Sequence, residues 1–193
     1  MNTRFTRLAG ICGLLTPIIT LTLIFVSIRL SPWFSWHDNA LSDMGVSTTP
    51  NVLNAALLIG GGLQLVFVLG GLRPAIGPGK LARLGFWALL IGALALPLVG
   101  IFTEAYGRTH YYIAATYFLA TPLGYILLGS ATIKRGQPVE GSLSMAAGIA
   151  AILAITLVPH KRIAVPEILA ATILGAWTFA MGVKSLFGNS TQS

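Results

Sequence analysis

The chain has 193 residues, 55% of them hydrophobic and 9% charged, and carries a formal net charge of +7. Soluble domains are charged at about a quarter of their positions, so this composition excludes an ordinary soluble enzyme or binding module. The apolar runs are continuous and do not alternate with period two, which also excludes a membrane β-barrel.

In chain order, apolar runs of about 20 residues, long enough to cross hydrocarbon as helices, recur at Leu8–Leu30, Val52–Leu72, Leu84–Thr103, Tyr111–Ile133, Ser142–Pro159 and Ile163–Leu186. The first follows Arg4 and Arg7 but is too long for the apolar core of a secretory signal. It also lacks a small-x-small cleavage site, so it reads as a retained helix. Thr49 and Pro50 read as the N-cap and first helical residue of the second span. Arg73-Pro74 and the Gly77-Pro78-Gly79 stretch separate the second span from the third, and Gly136 with Pro138 separates the fourth from the fifth. Pro17, Pro97 and Pro122 fall inside spans and are expected to bend them. The expected fold is all-α, one transmembrane bundle of six helices formed by residues 1–193 as a single domain.

Lys and Arg collect on the cytoplasmic side of membrane proteins. With the N-terminus inside, eight basic residues (Arg4, Arg7, Arg73, Lys80, Arg83, Lys134, Arg135, Lys184) face four (Arg29, Arg108, Lys161, Arg162), which puts both termini in the cytoplasm of a multi-pass cell-membrane protein. The positive balance follows from this topology, and no nucleic-acid partner is expected. Membrane lipids are the expected neighbours, and the basic face suits anionic headgroups. Trp33, Phe34, Trp36, Tyr106, Tyr111 and Tyr112 fall near the opposite, outer interface, where amphipathic rings are favoured.

Within the spans, Ala146/Ala150/Ala154, Ala171/Gly175 and Ala176/Ala180 recur at i, i+4, and Gly60–Gly62 and Gly70-Gly71 punctuate the second span. Such faces let membrane helices approach closely, within one chain or toward a second copy or another subunit of a membrane complex. Cys12 is the only cysteine, so no internal disulfide forms. No charge lies near the middle of a span. Gln64 is the most polar side chain at depth and reads as an interhelical hydrogen bond.

Helix parity gathers the ionisable residues at the outer end. His37, Asp38 and Asp43 lie in the Ser31–Asn51 loop, Glu104 and His110 flank the third loop, and His160 and Glu167 flank the fifth. Gly45 in the long loop allows a backbone conformation closed to other residues. Four readings are open to this inventory, the last a His–carboxylate pair acting as general base without metal, with Ser42 as nucleophile. The acids and bases form an ion-pair network that fixes the loop, with Asp43 capping a turn. Alternatively, Ser42, Asp43, Glu104, His110 and Glu167 line a pocket for a lipid headgroup or small polar ligand, with Asp43, Glu104 and His110 at its core and no cofactor. In the third, His37, Asp38, Asp43, His110 and His160 hold a divalent metal such as zinc, which would lower the pKa of a bound water for lipid hydrolysis. No HExxH or i, i+4 histidine pair specifies that metal.

The run Asn39-Ala40-Leu41-Ser42-Asp43-Met44-Gly45 after one span, the Glu104-to-His110 step, and Pro166-Glu167 opening a last span that contains Trp177 together resemble the DUF998 family of six-helix membrane proteins. The resemblance covers essentially the whole chain, with Leu-Ser-Asp-Met-Gly its most specific part. It implies six spans and a functional or structural role for Ser42, Asp43, Gly45, Glu104, His110 and Glu167, and it implies no particular activity. The Ser-Asp-x-Gly step is also similar to the FRAG1/DRAM/Sfk1 group. The inventory of Ser42, Asp38 or Asp43, and three histidines is similar to that of the alkaline ceramidase-like zinc hydrolases. Order and spacing differ from that family, and its late paired histidines are missing here.

Overall fold

A computed structural model describes residues 3–73, 76–159 and 163–187. Six helices among them are long and apolar enough to cross a membrane, and the described residues contain no strand. They are α1 (Thr3–Arg29), α2 (Pro50–Val66), α3 (Lys80–Ile101), α4 (Arg108–Lys134), α5 (Pro138–Leu157) and α6 (Ala164–Phe187). The chain is therefore a multi-pass membrane protein of the expected fold class. α2 continues into a π-helical segment, Phe67–Leu72, and short 3-10 turns occupy Leu41–Val46 and Glu104–Tyr106.

Turn chemistry sets the helix ends. Gly107 (φ +54) and Gly136 (φ +82) adopt left-handed backbone that side chains disfavour, so α4 begins and ends beside a glycine. Pro50 opens α2 as expected, but the Thr49 hydroxyl makes no cap hydrogen bond. Gly45 departs from its sequence reading as well. It is not among the glycines with positive φ. It is glycine because the turn presses on α2: a Cβ there would stand 2.7 Å from Asn54 Oδ1, while Asn54 Nδ2 donates to the Gly45 carbonyl at 3.0 Å.

Each helix packs chiefly on its sequence neighbours, and α6 closes on α1, so the six form a ring. Close crossings use proline against glycine. A Cβ on Gly61 would lie 2.3 Å from Pro97 Cδ, one on Gly175 2.9 Å from Pro17 Cβ, and one on Gly148 2.5 Å from the Pro122 carbonyl oxygen. Lipid gives no hydrophobic drive for helices to associate, so such close backbone contact supplies the cohesion. Gly60, Gly61, Gly70 and Gly71 are used this way inside the chain, whereas Ala146, Ala176 and Ala180 remain exposed on the perimeter.

Across the ring α4 meets α6 through Tyr125, which is fully buried. Its hydroxyl lies 2.9 Å from both the Leu174 carbonyl and Thr178 Oγ1, and its ring stacks on Trp177 at 3.8 Å. Trp177 Nε1 donates to Ser144 Oγ on α5 at 2.9 Å. Beyond this tie, at the end of the bundle opposite the long loop, Lys184 of α6 pairs with Glu140 of α5.

Candidate functional site

The long loop is held down by its own polar side chains. Asp43 Oδ2 accepts from the Ala40 amide and from Asn39 Nδ2, both at 3.0 Å, and Asn39 Oδ1 accepts from the Ser35 amide at 2.9 Å. A carboxylate at this position satisfies amides at the start of the turn, as a capping residue does. Two bonds then fix the turn to α6. The Leu41 amide donates to Glu167 Oε2 at 2.9 Å, and the Ala164 amide donates to the Asn39 carbonyl at 3.2 Å. Glu167 lies in the first turn of α6, where a negative charge also suits the helix dipole.

His110, in the first turn of α4, is buried, with Nδ1 2.8 Å from the Phe102 carbonyl. A carbonyl only accepts, so Nδ1 carries a proton and donates to it, which leaves Nε2 on the other edge of the ring. Glu104 opens the 3-10 turn between α3 and α4 and is half-buried. The carboxyls of Glu104 and Asp43 are electrostatic neighbours of Glu167.

Ser42, Glu104, His110 and Glu167 line one cleft of about 600 Å³. From this ionisable end the wall becomes hydrocarbon, with Ala114, Ala115, Phe118 and Leu119 on α4, Ile155 on α5 and Ile163 before α6. Tyr111, which also lines it, and Tyr112 beside it are exposed. The structure thus brings together four of the five ligand residues expected from sequence. The fifth, Asp43, is turned into the loop and is not on the cleft wall.

The expected metal ligands are dispersed. His37 is exposed, and Asp38, also exposed, accepts from Ser35 Oγ at 3.0 Å on the same turn. Asp43 is held by the loop and His110 by the Phe102 carbonyl, and His160 lies outside the described residues. Among the described residues no three of His, Cys, Asp and Glu are grouped so that they could hold a metal ion.

A model of the family described as proteins of unknown function, DUF998, matches residues 14–184. The chain belongs to the DUF998 family. That match reaches all six helices, leaving out only the start of α1 and the end of α6, and holds both 3-10 turns, so the loop-end cleft is built wholly from the DUF998 region. No curated protein and no solved structure matches the chain significantly.

Sequence reading missed a second cavity that adjoins the cleft. It is lined in part by Ser42, His110 and Glu167, and it descends between the helices to Gln64 and Thr178. The one signal for it was the lone amide at depth. Gln64 was expected to make an interhelical hydrogen bond, yet its Oε1 has no partner among the described residues.

Proposed function

We propose that this protein binds a membrane amphiphile at the loop end of its bundle, with the polar head beside Ser42, Glu104, His110 and Glu167. The apolar part would lie along α4 toward Ile155. One observation carries this reading: a single cleft changes from ionisable to hydrocarbon walls along its length. Its volume of about 600 Å³ falls within the range of roughly 300–1,000 Å³ usual for ligand pockets. Glu167 and His110 each keep a hydrogen-bonding atom beyond the one given to the backbone, so a head bearing hydroxyls, which both donate and accept, is favoured. The excess of Lys and Arg at the opposite end supports a cleft open to the outer leaflet of the cell membrane.

The test is lipid analysis of the detergent-purified protein by organic extraction and mass spectrometry. One lipid class should be enriched over the surrounding membrane. Glu167→Gln keeps an acceptor for the Leu41 amide, and His110→Asn keeps a donor for the Phe102 carbonyl, so both variants should fold. Together they should lower the enrichment about tenfold, equivalent to about 1.4 kcal/mol. A lipid profile identical to that of the host membrane would defeat the proposal.

A further inference from the structure

The second cavity has a floor that the loop-end reading does not use. Five helices (α1, α2, α3, α4 and α6) enclose a slot of about 80 Å³, which shares Ser42, His110 and Glu167 with the cleft. Along α6, Glu167 at the mouth and Thr178 at the floor are eleven residues apart, a rise of about 16 Å at 1.5 Å per residue. The walls between are largely hydrocarbon, with Leu21, Ile24, Leu53, Leu57, Leu96 and Val99 among them.

Gln64 at the floor is only 4% exposed, and its Oε1 has no hydrogen-bond partner among the described residues. Thr20 of α1 also lines the slot, and its Oγ1 likewise has none. The other floor hydroxyls are satisfied by protein: Thr16 Oγ1 donates to the Cys12 carbonyl at 2.8 Å and Thr178 Oγ1 to the Leu174 carbonyl at 2.9 Å. Two features show that the arrangement is built. A Cβ on Gly60 would come within 2.0 Å of Thr20 Oγ1, so glycine there leaves that hydroxyl its room. Gln64 also stands just before the π-helical segment of α2, a distortion often found at functional sites.

A buried amide oxygen left unsatisfied is costly, and hydrocarbon surroundings provide no substitute. A water needs two to four polar partners, so one could sit only at the floor, and the largely apolar length above it suits hydrocarbon. A hydroxyl on an otherwise apolar molecule matches the slot, since it donates to Gln64 Oε1 and accepts from the Thr20 hydroxyl. We propose that the interior slot is a binding site for an apolar lipid bearing a hydroxyl group, held at its deep end by Gln64 and Thr20.

The experiment uses the full chain in lipid nanodiscs, with radiolabelled 1-dodecanol as probe and empty nanodiscs as background. Dodecyl methyl ether, which accepts but cannot donate, serves as competitor. Dodecanol should bind saturably, with the ether at least about tenfold weaker. Gln64→Leu should abolish that preference, and Thr20→Val, a second variant should Gln64→Leu fail to fold, should weaken it. Glu104→Gln, which lines the cleft and not the slot, should leave it intact, which separates this site from the head-binding cleft. Equal binding of alcohol and ether by the wild type, or a preference that survives Gln64→Leu, would overturn the proposal and leave the slot as packing space.

Discussion

The two ends of the polar interior are built differently. Below the ring's crossing point, Tyr125, Thr178, Trp177 and Ser144 are joined in hydrogen bonds that link α4, α6 and α5. On the loop side, Glu167 and His110 each give one atom to the backbone and keep another, and Gln64 and Thr20, which line a cavity, each have a buried oxygen without a hydrogen-bond partner among the described residues. A polar group deep in a membrane bundle whose bonding is complete holds the bundle together. The proposed ligand sites lie beside groups whose bonding is incomplete. The same residue types occur on both sides, so the distinction lies in satisfaction and not in composition.

The largest way to break this contrast is at the satisfied side. Tyr125→Ala removes a fully buried ring from between α4, α6 and the Trp177 face, and aromatic-to-alanine changes in packed interiors cost about 3–5 kcal/mol. Thermal unfolding in detergent should show a large fall in melting temperature. Tyr125→Phe, which loses only the hydroxyl, should cost about 1 kcal/mol. A Tyr125→Ala protein as stable as wild type would mean that the tie does not hold the ring.

A smaller effect is expected at Asp43, because it divides the loop end into a fastened part and an open part. Asp43→Ala strips the acceptor from the Ala40 amide and Asn39 Nδ2, a loss like that of a helix cap, about 1 kcal/mol. Limited proteolysis should then cut within the Ser31–Asn51 loop faster than in wild type, and Asp43→Asn should restore most of the protection. Lipid enrichment should change less than in the Glu167→Gln and His110→Asn pair, since Asp43 is not on the cleft wall. Unchanged proteolysis in Asp43→Ala would assign the carboxylate a role other than fastening the loop.

These residues also show what a sequence can carry. Six uninterrupted apolar runs leave one fold class, and the helix count alone places Ser42, Glu104, His110 and Glu167 at one end, because spans alternate direction. Which atoms remain free there cannot be counted from spacing. Asp43 and Glu167 look alike on paper, and only the local turn decides that the first is spent on Ala40 and Asn39 while the second keeps an oxygen for the cleft. Gly45 was legible as a required glycine, but for the wrong reason: the pressure of Asn54, not a positive φ, excludes a side chain. Gln64 was legible only as a polar residue at depth. Whether an amide bridges two helices or floors a slot depends on which neighbours are glycine, and Gly60 is set by packing on another helix.

The smallest expected effect lies at the far end, where Lys184 and Glu140 pair across α5 and α6. Their side chains are 44% and 33% exposed, so water and salt screen the attraction, and exposed pairs of this kind contribute about 0–1 kcal/mol. Lys184→Met should therefore shift the melting temperature little, with the residual difference fading at high salt as the Debye length shortens. The Trp177–Ser144 bond, which is buried, should keep its contribution at every salt concentration. If Lys184→Met instead destabilised the bundle as much as Tyr125→Ala, cohesion at this end would come from charge, and buried hydrogen bonds would no longer distinguish the two sides.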